Sequence, residues 1–146
     1  MSAKENKVLV RQYFKEFNQA TGNPDKIHSV CQKYYAPSFT FHAPSRDMTR
    51  EQIIRHLTTK EMPFPDATYS IEDMLAEGDK VAVRYTMQGA HKEPLRGIPA
   101  TGKKVLIKGV AIQKIDDGML QEEWVFEDVL GAMTQLGAIP SAAPKK

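Results

Sequence analysis

The spacing of apolar residues changes once along this chain, and that change restricts the fold more than any other feature. Val10, Tyr13, Phe14 and Phe17 fall three, four and seven residues from the first, which lines one face of a helix. From Asp66 onward, apolar and polar residues alternate as they do in strands with one buried face. Helices therefore precede long strands without a strand–helix–strand rhythm. This order predicts an α+β fold with helices on one face of a curved antiparallel sheet.

Capping and turn signals set the element boundaries. Asn23 caps a second helix, and residues 49–52 form a capping box before a third. Residues 116–118, Asp-Asp-Gly, predict a hairpin turn between the last two strands. We expect a single domain over residues 1–140 and a disordered tail over residues 141–146.

Composition excludes several classes of function. The 146 residues carry 20 basic and 18 acidic side chains, a formal net charge of +2, which gives no cluster for binding nucleic acid. The single cysteine, Cys31, permits no intramolecular disulfide and no cysteine-based metal site. The start of the chain is polar, and no apolar run is long enough to span a membrane. We expect a cytoplasmic protein that contacts neither membranes nor nucleic acid.

Alternation along the strands assigns side chains to the interior. Odd positions of the strand that contains Tyr85 are apolar, and the next strand places Gly109, Ala111 and Gln113 on the same side. His91 shares this interior parity. Small residues on a concave face leave space, so the pattern predicts a cavity between the sheet and the helices.

The last strand carries an acid with its aromatic residues. Trp124, Phe126 and Asp128 share one face, and assigning the aromatic residues to the interior carries Asp128 inward with them. Burying a carboxylate costs several kcal/mol unless it is paired or protonated. Glu122 has the same parity, so a bulge or strand end would have to place it outside. The alternative for Asp128 is structural: it lies where it could cap the helix around Leu130 or pair with a histidine.

Ordered segments along almost the whole chain resemble one known family. Gly97 to Val105 (Gly-Ile-Pro-Ala-Thr-Gly-Lys-Lys-Val) is similar to a loop-to-strand motif of the SnoaL-like polyketide cyclases, also called predicted ester cyclases. Further similar segments are Phe64 to Asp66, Ala76 to Arg84, Gly89 to His91, and the ending Glu-Glu-Trp-Val-Phe-Glu-Asp with Gln135-Leu136-Gly137.

The resemblance implies a cystatin-like or ketosteroid-isomerase-like cone with one internal pocket. It further implies an intramolecular aldol condensation that closes a ring in a polyketide ester, with an aspartate as general acid/base and no metal or organic cofactor. The matching position is Asp128, and His42 and His91 match family histidines. Lys92-Glu93 after His91 departs from the family pattern, as does the absence of a glycine in residues 44–50.

The site hypothesis follows from parity and resemblance together. The candidate catalytic residues are Asp128, His91 and His42; the candidate ligand-binding residues are Trp124, Phe126, Tyr85, Gln113, Ala111 and Gly109. Two histidines and a carboxylate could bind a metal, but their spacing matches no local metal motif, so we predict none.

Several functions remain open from sequence alone. The first is a cyclase of the lyase or isomerase type that acts on a small hydrophobic molecule. The same pocket would also serve a hydrolase or isomerase, or a binding module that holds an apolar ligand without chemistry. We also expect a homodimer or higher homo-oligomer through the convex sheet face, where the lysines at 104, 108 and 114 would have to be paired or peripheral.

Overall fold

A computed structural model describes residues 2–140 of the chain. The predicted tail over residues 141–146 lies outside the described residues. The elements in chain order are α1 (Ala3–Ala20), α2 (Pro24–Tyr34), β1 (Tyr35–His42), β2 (Asp47–Thr49), α3 (Arg50–Thr58), β3 (Thr68–Glu77), β4 (Lys80–Ala90), β5 (Lys104–Asp116), β6 (Met119–Glu127) and α4 (Val129–Gln135).

The helices begin where their capping residues predict. The Asn23 side chain accepts a hydrogen bond from the Lys26 amide at the start of α2. Thr49 and Gln52 form the reciprocal capping box of α3. Helix α1 packs the aromatic residues of its apolar stripe against the sheet, which places Tyr13 in the core. None of the described helices is long and apolar enough to cross a membrane.

The predicted α+β cone is confirmed, with one difference in the sheet. Six strands pair in the order β2-β1-β6-β5-β4-β3, and the long strands β3 to β6 form antiparallel neighbours as alternation predicts. Strand β1, however, runs parallel to β6, so the sheet is mixed. Local patterning does not report this pairing, because it joins segments about eighty residues apart in sequence.

The interior parity assigned to β6 was wrong beyond its first residues, and a β-bulge is the reason. Next to the hairpin, Ile115 pairs with Leu120, and both face the core. The register then shifts by one residue, so Lys114 pairs with Glu122 and Gln113 with Glu123. An extra residue in one strand moves every later side chain to the opposite face. Consequently the inward side chains of this part of β6 are Glu123, Val125 and Glu127. The side chains of Trp124, Phe126 and Asp128 do not point inward.

The convex face of the sheet retains exposed apolar side chains. Phe126 is 60% exposed and Leu106 is 53% exposed, with Val110 and Ile112 beside them on β5. A register shift in β3 between Ile71 and Asp73 has a similar effect, since it buries Met74 and leaves Leu75 outside.

Candidate functional site

One large cavity of about 450 Å³ lies between the inner sheet face and the helices. Aromatic and aliphatic side chains form most of its wall. The wall residues come from α1 (Tyr13, Phe14, Phe17), β1 and β2 (Tyr35, Phe41, Met48), α3 (Ile53, Leu57), β4 (Tyr85, Met87), β5 (Ile107, Ala111) and β6 (Glu123, Val125, Glu127). Glu123 and Glu127 on β6 thus bring two carboxyl groups into the largely apolar inner part of the cavity.

The first polar group of the cavity is a hydrogen-bonded pair formed by residues that lie side by side on three adjacent strands. Tyr85 on β4 pairs with Gly109 on β5, which pairs with Glu127 on β6. A Cβ atom at Gly109 would come within 2.6 Å of Tyr85 Cζ, so the tyrosine lies directly over the glycine. The Tyr85 hydroxyl thereby reaches across β5 and donates to Glu127 Oε2 at 2.6 Å.

Burial determines the proton affinity of this pair. Desolvation raises the pKa of Glu127, and the hydrogen bond from Tyr85 opposes the shift in part. The pKa of Tyr85 is also raised, first by burial and then by the charge of Glu127, so its hydroxyl keeps its proton at neutral pH. Glu127 is therefore a carboxyl group whose proton affinity is raised by burial, beside a hydroxyl group that remains a hydrogen-bond donor at neutral pH.

Glu123 forms the second polar group, deeper in the cavity. Its side chain is 4% exposed, and Gln113 Nε2 donates to Glu123 Oε2 at 2.8 Å. Burial raises the pKa of Glu123 to about 7, hydrogen bonds from Gln113 and Tyr13 lower it, and the charge of Glu127 raises it. The Tyr13 hydroxyl also lies 2.8 Å from that of Tyr35.

Asp128, the predicted catalytic acid, does not face the cavity. It is exposed and is the N-cap of α4, where its Oδ1 accepts a hydrogen bond from the Gly131 amide at 2.8 Å. The interior placement of Asp128 was wrong because the bulge in β6 reverses the parity. The structural alternative, a helix cap, is the role that its geometry shows.

His42 lies on the convex face. Its ring stacks on Trp124 with 5.0 Å between centroids. Its two nitrogens contact Asp47 Oδ1 at 2.8 Å and Glu122 Oε1 at 2.9 Å, which requires both to donate and hence a protonated ring. Burial lowers the pKa of His42, but hydrogen bonds to Glu122 and Asp47 outweigh it and raise the pKa overall. This histidine ties β1 to β2 and β6.

His91 is fully buried beside the cavity and does not line it. Its Nδ1 accepts a hydrogen bond from the Thr101 amide at 3.2 Å, and its backbone pairs with Lys103 and Gly102. It anchors the loop that follows β4 at both ends. The ring Nε2 is buried without a partner among the described residues.

The predicted ligand-binding residues divide into three groups. Tyr85 and Ala111 line the cavity, as parity predicted. Gln113 and Gly109 face inward but act through neighbours, since one holds Glu123 and the other makes room for Tyr85. Gly109 therefore does not leave empty space. Trp124 and Phe126 lie on the outer face, contrary to their predicted role.

Sequence reasoning missed Glu123 and Glu127, although one signal was available. Leu120 and Val125 are both apolar and have opposite parity, so both can face the interior only if a bulge lies between them. The polar run Gln121-Glu122-Glu123 masks that break in the alternation. A bulge there turns both carboxyl groups inward.

The cavity opens between three loops. Residues 43–46, 61–63 and 94–96 border it, and His56 and Arg46 lie together at this mouth. Burial lowers the pKa of His56, the nearby Glu61 raises it, and the charge of Arg46 lowers it. Within residues 2–140, no three His, Cys, Asp or Glu side chains converge as a metal site requires.

The described residues thus form an α+β cone around a largely apolar cavity into which carboxyl groups point. Residues 8–136 match the family described as SnoaL-like polyketide cyclase. Because this match covers most of the chain, the protein belongs to that family, as the sequence segments indicated. No curated protein matches the chain in sequence.

Solved structures agree with the family assignment. A candidate SnoaL-like polyketide cyclase from Jannaschia Sp. CCS1 superposes with a TM-score of 0.81 at 26% identity, covering 94% of this chain and 95% of that one. A candidate polyketide cyclase from Acidithiobacillus ferrooxidans has a TM-score of 0.76 at 28% identity, covering 94% and 99%. TsrD from Streptomyces laurentii has a TM-score of 0.76 at 26% identity, covering 90% and 97%.

Proposed function

We propose that the protein is a cofactor-independent cyclase that closes a ring in a polyketide-like ester by intramolecular aldol condensation, with Glu127 as the general acid/base. The observation that carries this proposal is the placement of Glu127 in an apolar cavity beside the Tyr85 hydroxyl. Family membership and the cyclase names of its structural neighbours support the reaction class.

One carboxyl group suffices for the proton transfers of this reaction. Glu127 takes a proton from the carbon next to a substrate carbonyl, and the resulting enolate carbon bonds to a second carbonyl of the same molecule. The alkoxide formed then takes the proton back from Glu127. No electrons are gained or lost overall, and a conjugated substrate spreads the enolate charge itself.

The groups around Glu127 support this cycle. The raised pKa of Glu127 brings its proton affinity closer to that of an activated carbon acid. Tyr85 keeps its hydroxyl proton and lies beside the reacting carboxyl group, where it can donate to an oxygen that gains negative charge. Aromatic walls from α1 and β1 surround the site with apolar surface.

A diketone that cyclises to a fluorescent product tests the function without knowledge of the natural substrate. Aldol closure and dehydration of o-acetylphenylacetone give a methylnaphthol, which fluorescence detects. We expect wild-type protein to accelerate this closure and Glu127→Gln to reduce the rate by about 100-fold or more. Binding of the diketone with no acceleration by wild-type protein would identify a binding module instead.

A further inference from the structure

The mouth of the cavity carries positive charge, whereas the walls of its interior are mostly apolar. Arg46, in the loop between β1 and β2, and Arg96, in the loop after β4, both border the opening. Within the described residues, neither guanidinium forms an ion pair. Glu61 also lies at the mouth, but Arg55 neutralises it at 3.0 Å. The opening therefore presents two uncompensated positive charges.

Arg96 occupies a turn position whose backbone conformation does not favour a long side chain. Leu95 and Ile98 exchange backbone hydrogen bonds of 3.0 and 2.8 Å around a two-residue turn. Arg96 has φ 47° and Gly97 has φ 81°, so both central residues are left-handed. Such turns favour Asn-Gly, since left-handed φ is uncommon for a residue with a long side chain. An arginine here holds a guanidinium at the cavity mouth despite an unfavourable conformation.

The negative charge of the interior is weakened by burial. Burial raises the pKa of both Glu123 and Glu127, which favours their neutral forms. The walls between them are apolar, so they suit an uncharged body. His56 at the mouth has a lowered pKa and adds no lasting charge at neutral pH. The arrangement suits a molecule with an apolar body and one anionic end.

We propose that Arg46 and Arg96 form an anion-binding subsite, so that the ligand's apolar body fills the cavity while a carboxylate or phosphate group stays at the mouth. The inference rests on the proposed function only in taking this cavity as the ligand site. Guanidinium groups bind both anions through paired, charge-assisted hydrogen bonds. The subsite would orient a substrate so that its uncharged end reaches Glu127.

Matched naphthalene probes test the subsite independently of turnover. Naphthoate, naphthyl phosphate and neutral naphthamide share one apolar body, and their fluorescence reports binding. We expect wild-type protein to bind at least one anion about tenfold more tightly than the amide. The relative affinities of naphthoate and naphthyl phosphate then show which anion the subsite prefers.

Two substitutions and a control locate the effect. Arg46→Gln combined with Arg96→Asn should abolish the preference and leave naphthamide binding unchanged; asparagine suits the left-handed turn. Arg11→Gln, on the exposed face of α1, should keep the preference. Equal binding of anions and amide by wild-type protein, persistence of the preference in the double variant, or no binding of any probe would overturn the inference.

The two proposals fail separately. Wild-type protein is assayed for ring closure of uncharged o-acetylphenylacetone and, separately, for its anion preference among the naphthalene probes. If the protein prefers anions but does not close this ring, the anion subsite stands and the cyclase proposal is wrong. If the protein closes the ring but shows no anion preference, the cyclase proposal stands and the anion subsite is wrong.

Discussion

Tyr85 and Glu127 lie on strands that do not pair with each other, yet the Tyr85 hydroxyl donates to Glu127 Oε2 at 2.6 Å. The strand between them contributes Gly109, whose missing side chain lets the tyrosine cross β5. Tyr85, Gly109 and Glu127 thus lie side by side on three adjacent strands, and the missing side chain of Gly109 leaves room for the Tyr85 ring. This arrangement is the structural basis of the proposed acid/base.

Removing the Tyr85 hydroxyl should weaken the acidity of Glu127. The hydrogen bond from Tyr85 lowers the pKa of Glu127, which burial has raised, so Tyr85→Phe should raise that pKa further. Activity that needs ionised Glu127 would then begin at higher pH. In a pH–rate profile for ring closure, the acid limb should move to higher pH in the variant. An acid limb at the same pH as in wild-type protein would show that Tyr85 does not tune the pKa of the catalytic base.

A single methyl group at Gly109 should displace the Tyr85 ring. The new Cβ would lie 2.6 Å from Tyr85 Cζ and 2.7 Å from its oxygen, so Gly109→Ala should destabilise the fold by about 1–3 kcal/mol. It should also raise the pKa of Glu127, measured by carboxyl carbon NMR.

Gly89→Ala on β4 is the matched control for that experiment. Its Cβ would crowd Phe64 at 2.9 Å, so it adds a comparable clash away from the Tyr85 hydroxyl. We expect it to destabilise the protein and leave the pKa of Glu127 unchanged. Equal shifts in the pKa of Glu127 in both variants would mean that the contact between Gly109 and Tyr85 does not control this pKa.

Glu123 should make the protein less stable as pH rises. Its pKa is raised to about 7 from an ordinary 4.5, so the folded state holds its proton more tightly than the unfolded chain. This contribution is fully present below about pH 4.5 and is lost as pH rises through about 7, a change of roughly 3 kcal/mol. Urea denaturation at a series of pH values should show this fall in unfolding free energy in wild-type protein and a smaller fall in Glu123→Gln. The same dependence on pH in both proteins would contradict a raised pKa at Glu123.

Asp128 should matter for stability through its cap. Because its carboxylate accepts the Gly131 amide hydrogen at the start of α4, Asp128→Ala should cost about 1 kcal/mol of unfolding free energy. Asparagine caps helices equally well, so Asp128→Asn should retain nearly full stability. Thermal denaturation of the two variants measures the difference, and equal losses in both would argue against a capping role.

The sequence predicts the fold better than the site, and β6 shows why. Apolar alternation identifies each long strand, and capping residues such as Asn23 and Thr49 locate helix starts, because these signals act over a few residues. The inward faces of β4 and β5 follow from the same local pattern. The bulge after Leu120 depends on pairing between strands, and one extra residue turns Glu127 inward and leaves Asp128 outside. A single unpaired residue therefore separates a correct prediction of the fold from a wrong prediction of which β6 side chains face the interior.

Proton exchange at an activated carbon tests the central claim most directly, since it isolates the first step of the proposed reaction. NMR in deuterated water follows loss of the activated protons of β-tetralone, an apolar ketone, with wild-type protein, Glu127→Gln and Asp128→Asn. We expect Glu127→Gln to slow exchange by about 100-fold or more and Asp128→Asn to stay within about twofold of wild type. Exchange that survives in Glu127→Gln and disappears in a folded Asp128→Asn protein would contradict this expectation.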